Sequence, residues 1–274
     1  MRLALTIQTP EVETPLPVAL LQGSFTEKLE KAVRWGADGV ELMTVDPQSL
    51  DSASMRSELQ RLRLGIAALG SGALAFSAGL TLLNADPEKA DMAQSRLRHL
   101  IHFAAQLGAP LVTIGSFRGR AAWVGESGKR RLAEILREYA GYAAQYGIRL
   151  ALEPLNRYEA DLIANVQEGL DFLKEVDHPA LGLVVDTYHM NIEESSFTEP
   201  FRQAMAAGKL FHVHLGDNNR LYPGGGMIPF PSILQVLRET GYQGYLSAEL
   251  LANPDPDTAA EQTMDYMSKL LGRR

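Results

Sequence analysis

The 274-residue chain contains no cysteine. Disulfides, a thiol nucleophile and thiolate metal sites are thereby excluded, and any metal must be held by oxygen and imidazole. Long apolar stretches are missing too: the longest largely apolar run, LAFSAGLTLL at 74–83, has about half the ~20 residues that a membrane helix needs. The start, MRLALTIQTPEVE, is too short in apolar character for the core of a secretory signal. Nor is there an excess of positive charge. Lys and Arg total 26 against 33 Asp and Glu, and the resulting net charge of -7 repels a phosphate backbone. A cytoplasmic enzyme is expected, with neither nucleic acid nor a membrane as partner.

What is present is alternation. Short β-branched or leucine-rich runs predict strands at LALTI (3–7), GVELM (39–43), LGIAAL (64–69), LVTIG (111–115), IRLALE (148–153), LGLVVD (181–186), LFHVHL (210–215) and YLSAEL (245–250). Between them, stretches of helical period such as FTEKLEKAVRWG, PEKADMAQSRLRHLIHFAAQLG, GKRRLAEILREYAGYAAQYG and PSILQVLRETGYQG close on a glycine suited to a helix C-cap. Eight such units, with TIQTPEVETP rather than a GxGxxG loop after the first strand, predict one (β/α)8 TIM barrel spanning 1–274 rather than a doubly wound sheet. The long segments GSFRGRAAWVGES, TYHMNIEESSF and GDNNRLYPGGGMIPFP all follow strands. That places the working face at the C-terminal ends of the strands.

Four consecutive strands reach that end with a ligand-type residue: Glu153 on the fifth, Asp186 on the sixth, His214 on the seventh and Glu249 on the eighth. Singly, each has an ordinary reading. An acidic residue after a strand is commonly a helix N-cap or a solvated loop residue, and a strand histidine is commonly a satisfied core group, the reading given to His212. Together they form an oxygen-rich site for one divalent cation of the Mn²⁺, Mg²⁺ or Co²⁺ type, which would compensate carboxylates that are costly to bury unpaired. Glu41, on a strand across the barrel, is read as structural or supporting.

The motifs EPLNRYE, VDTYHMNIEE, HVHLGDNNR and the late Glu of LSAELL resemble, in order and spacing, the D-tagatose 3-epimerase and D-psicose (allulose) 3-epimerase group of the xylose isomerase-like TIM barrels. The resemblance implies that Glu153, Asp186, His214 and Glu249 bind the metal, Mn²⁺ first among the candidates. It also implies that Glu153 and Glu249 form an acid/base pair, that Glu159, His189 and Arg220 contact a small-molecule sugar, and that no organic cofactor takes part. The reaction implied is C3 epimerisation of a ketose through an enediolate, with one glutamate removing a proton from one face and the other delivering one to the opposite face. Homodimers or homotetramers are frequent in such barrels.

Two segments depart from that group. The fourth-strand loop GSFRGRAAWVGE carries Arg118 and Arg120, which could read a carboxylate or phosphate or else be solvated surface arginines. The last motif reads AELL where the group has EPF. Other enzymes of the superfamily therefore stay open, including aldose-ketose, hydroxypyruvate and inosose-type or sugar-phosphate isomerases. A repair nuclease of the endonuclease IV type is disfavoured by only six histidines, mostly away from strand tips, and by the acidic balance.

Overall fold

Period-two alternation decides which side of each strand meets the helices. In the computed structural model, which describes residues 1–273, eight parallel strands close into a barrel in sequence order. They are β1 (Arg2–Gln8), β2 (Gly39–Met43), β3 (Gly65–Gly70), β4 (Leu111–Ile114), β5 (Arg149–Leu152), β6 (Leu181–Asp186), β7 (Leu210–Leu215) and β8 (Tyr245–Ala248), which pairs back onto β1. The helices are α1 (Phe25–Trp35), α2 (Ser52–Arg61), α3 (Gly72–Phe76), α4 (Pro87–Leu107), α5 (Gly128–Gln145), α6 (Val166–Val176), α7 (Thr187–Glu193), α8 (Glu199–Ala206), α9 (Phe230–Glu239) and α10 (Pro256–Leu270). The expected (β/α)8 architecture is present. Among the described residues no helix is long and apolar enough to cross a membrane.

The outward residues of the strands, among them Leu3, Leu5 and Ile7 of β1, Leu150 and Leu152 of β5 and Leu183 and Val185 of β6, join the helix faces in one continuous apolar shell. The helix ends follow local chemistry. Ser24 caps α1 in a reciprocal box with Glu27, and Gly36 stops it in the left-handed region.

The alternate residues fill the barrel interior in layers. At the bottom, Tyr245 packs with Ala4 and Ala67, and a Cβ on Gly65 would collide with the Tyr245 hydroxyl, so glycine makes room for the ring. Leu111, Ala151 and Val184 form a further small apolar cluster. Above them lies a polar layer of Thr6, Glu41, Thr113, His212 and Ser247, all buried. The next inward positions on β5 to β8 fall at the C-terminal rim.

β5 and β8 end one or two residues earlier than expected, at Leu152 and Ala248. Their ladders nevertheless continue, since Glu153 N–H donates to the Ile114 carbonyl (3.0 Å) and Glu249 N–H to the Leu215 carbonyl (3.2 Å). Both glutamates therefore keep the inward orientation of strand residues.

Candidate active site

Glu153, Asp186, His214 and Glu249 converge: one ligand atom from each lies within 4.8 Å of all the others. His214 pairs with Asp186 across the β6–β7 register, and its Nδ1 is 3.3 Å from Glu153 Oε1 and 2.6 Å from Glu249 Oε2. Asp186 is both the last residue of β6 and the N-cap of α7. Its Oδ1 accepts from Tyr188 N–H (2.8 Å), while its Oδ2 is buried with no hydrogen-bond partner. The capping reading and the site reading thus apply to different oxygens of one carboxylate.

All four residues are at most 8% exposed, so like charges repel with little screening. Burial, reinforced by the charge of Glu153, pushes the Asp186 carboxyl up to about 8. Burial and then the Glu249 charge raise Glu153 as well. Burial alone would lower His214, but the surrounding carboxylates Glu249 and Glu41 outweigh it and hold the imidazole well above its usual value. An orphaned carboxylate oxygen among three crowded carboxylates and an imidazole nitrogen is the donor chemistry of a divalent-cation site.

Beneath this cluster, Glu41 reaches across the interior. Its carboxylate meets His214 Nε2 (3.2 Å) and His212 Nε2 (2.9 Å) and accepts from Thr113 Oγ1 (3.3 Å). His212 Nε2 also lies 3.1 Å from Ser247 Oγ. Glu41, His212 and His214 are close enough to look like a second ligand set, but their polar atoms are occupied with one another. A carboxylate behind Nε2 fixes the ring so that Nδ1 faces the rim.

The residues expected to contact substrate lie beside the cluster. His189, on α7, places Nε2 3.9 Å from both Glu153 Oε1 and Asp186 Oδ2. Arg220, left-handed at φ 59°, stacks over the Tyr188 ring (4.8 Å) and bonds Glu159 Oε1 (2.8 Å). With Met43, Phe76, Gly115 and Leu155, the side chains of Glu159, His189 and Arg220 line a narrow cleft that also receives Glu153 and Glu249. Gly115 is needed there, because a Cβ would come 2.5 Å from Glu153 Oε2. A larger groove, lined by Leu170, Lys174, Gln203 and Lys209, lies at the opposite end of the barrel, away from the carboxylates.

Arg118 corrects the reading of the fourth-strand loop. Arg118 is neither an anion reader nor a surface residue but is fully buried, its guanidinium donating to the carbonyls of Glu153, Leu162 (2.8 Å) and Ile163 (3.3 Å). Arg120 donates to the Tyr158 carbonyl (3.0 Å). The loop folds down through two short 3₁₀ turns, Ser116–Arg118 and Ala121–Trp123, and clasps the segment that follows β5.

Two contributors escaped the sequence reading. Asn156 joins His189 to Glu159, with Nδ2 2.8 Å from His189 Nδ1 and 3.1 Å from Glu159 Oε1. Asp217, fully buried, accepts four backbone N–H groups, from Asn218, Gly224, Gly226 and Ile228 at 2.8 to 3.0 Å, and so shapes the loop that bears Arg220. The only signal for it was an acidic residue opening a run of Asn and Gly, which is turn chemistry.

Comparison with known proteins agrees with this geometry. Residues 29–270 match the family described as xylose isomerase-like TIM barrel. The chain is 31% identical over 240 residues to the L-ribulose 3-epimerase of Methylomonas sp. (strain DH-1), covering 85% of this chain and 80% of that protein. It is 44% identical over 119 residues to the D-psicose 3-epimerase of Ruminiclostridium cellulolyticum, covering 43% and 40%. The crystal structure of the Methylomonas D-allulose 3-epimerase in complex with D-allulose superposes with a TM-score of 0.78 at 26% identity, over 98% of this chain and 97% of that one. With the carboxylate cluster at the expected end of a closed eight-stranded barrel and relatives of this kind over most of its length, the chain belongs to the xylose isomerase-like TIM barrel family, alongside the ketose 3-epimerases.

Proposed function

We propose that the protein is a divalent-metal-dependent ketose 3-epimerase acting on a free sugar of the L-ribulose or D-psicose kind. The observation that carries the proposal is the placement of Glu153 and Glu249 within 3.3 Å and 2.6 Å of His214 Nδ1, each buried and each lining the same cleft. Glu153, Asp186, His214 through Nδ1 and Glu249 would hold the cation, for which the hard, oxygen-rich donor set favours Mn²⁺ over thiolate-seeking metals. When bound, the cation supplies Lewis-acid stabilisation of the negative charge that develops beside the carbonyl.

The chain's own groups do the rest. One of the two glutamates takes the C3 proton from one face of the ketose, leaving an enediolate. The other returns a proton to the opposite face, so the carbon is inverted and no atom is gained or lost overall. His189 Nε2 and the Arg220 guanidinium stand where the sugar oxygens would lie, and Glu159 keeps Arg220 directed at them.

The test is deuterium uptake from D₂O at C3 of L-ribulose and D-psicose, followed by mass spectrometry with and without added Mn²⁺. Metal-dependent uptake together with the C3 epimer is expected, and both are lost in Glu153→Gln and Glu249→Gln. Uptake that yields an aldose instead would overturn the epimerase assignment.

A further inference from the structure

Asn156 is fully buried in the turn after β5, and its amide can be oriented in only one way. The backbone N–H of Tyr158 can only donate, and it lies 3.0 Å from Oδ1, so that atom is the oxygen. The NH₂ group then faces two acceptors, His189 Nδ1 at 2.8 Å and Glu159 Oε1 at 3.1 Å. The backbone N–H of Asn156, again a donor only, points at the same His189 Nδ1 from 3.3 Å. An imidazole nitrogen that receives two N–H groups carries no hydrogen itself, so a neutral ring must carry it on Nε2. Two donors converging on Nδ1 by themselves require that nitrogen to be free of a proton.

We infer that Asn156 is a positioning residue: one amide fixes His189 as an Nε2–H donor and, with its second hydrogen, holds Glu159 where it binds Arg220. The inference rests on the proposed function for what that Nε2–H does. Nε2 lies 3.9 Å from Glu153 Oε1 and from Asp186 Oδ2, so its hydrogen is directed into the space where the ketose oxygens would gain charge during proton transfer. Donors fixed beforehand at such a position speed a reaction because nothing has to reorient as the charge forms. In the other tautomer a lone pair would face that oxygen.

The test combines kinetics with spectroscopy on the metal-loaded protein, using L-ribulose as the probe. Asn156→Ala should lower kcat for deuterium exchange about tenfold or more and raise KM severalfold through Glu159 and Arg220. In a His189→Ala background, adding Asn156→Ala should change kcat less than about twofold, since the group it orients is gone. Imidazole ¹H–¹⁵N correlation spectra, with His189 assigned by the His189→Ala variant, should show wild-type His189 as a single Nε2–H tautomer and exchange between tautomers in Asn156→Ala. Equal losses of kcat in both backgrounds would mean a general structural role and overturn the inference, as would a wild-type His189 protonated on Nδ1. If the wild type exchanges no ketose at all, the proposed function fails separately and the tautomer spectra alone decide this inference: a change on Asn156→Ala upholds it and an unchanged spectrum overturns it.

Discussion

Asp217→Asn should loosen the β7–α9 loop while leaving the barrel folded. Asp217 Oδ1 accepts from the N–H groups of Asn218 and Ile228, and Oδ2 from those of Gly224 and Gly226. Asparagine keeps one oxygen and turns an NH₂ group towards two N–H donors, so two hydrogen bonds to a charged acceptor are lost. At about 1.5–3 kcal/mol each, the local cost is about 3–6 kcal/mol. The loop can open and offer its donors to water, so the loss in global stability should be nearer 2 kcal/mol, or about 4–8 °C in Tm for a chain of this size. The functional effect follows from Arg220, whose N–H donates to the Asp217 carbonyl and whose carbonyl accepts from Leu251 N–H. A loosened loop releases that backbone, and KM for the ketose should rise about tenfold or more, equivalent to 1.4 kcal/mol of lost binding. Asp217→Glu separates charge from reach. It keeps the carboxylate but has no room beside Gly226, whose Cβ would already collide with the shorter side chain, so it too should raise KM. Thermal melts, limited proteolysis within 218–227 and steady-state kinetics make up the assay. An asparagine variant with wild-type KM and an uncut loop would refute the reasoning.

Arg118→Met should destabilise the protein by about 3 kcal/mol or more, because three carbonyls, those of Glu153 and Ile163 buried, lose their donor; Arg118→Lys should recover part of that loss but not the metal affinity, and wild-type Mn²⁺ affinity in both variants would show that the clasp on Glu153 is irrelevant to the site. Gly115→Ala should weaken Mn²⁺ binding about tenfold by displacing Glu153 Oε2 while changing Tm little, and an unchanged Kd by calorimetry would count against the crowding seen there. Metal uptake should release protons at pH 7. Asp186, raised to about 8 without a cation, is mostly protonated below that pH and must ionise to bind, and His214, also raised, must free Nδ1. Apparent affinity should therefore climb with pH through about 8, and calorimetry in buffers of different ionisation heat that shows no proton release would contradict the assignment.

Much of the barrel was legible because it follows from local patterning. Leu150, Ala151 and Leu152 alternate between shell and interior as their sequence demands, and a polar residue on the inward phase at a strand's end can only face the rim. That is why Glu153, Asp186, His214 and Glu249 could be picked out as a set, although each alone had an ordinary reading. Arg118 could not, since an arginine in a glycine-rich loop reads as solvated until the chain brings the carbonyls of 153, 162 and 163 around it. Asn156 and Asp217 were hidden for the same reason. Asp217's partners are backbone groups, which every residue possesses and no sequence pattern marks, and Asn156 meets the His189 ring only once β5 and β6 lie side by side.

The polar layer beneath the site has a consequence for engineering. Glu41, His212 and Ser247 occupy the centre of the barrel, where apolar side chains would pack without the desolvation cost of a buried carboxylate. A hydrophobic redesign of that layer would be expected to yield a hardier scaffold whose His214 is no longer held from behind, and so to trade catalytic competence for robustness.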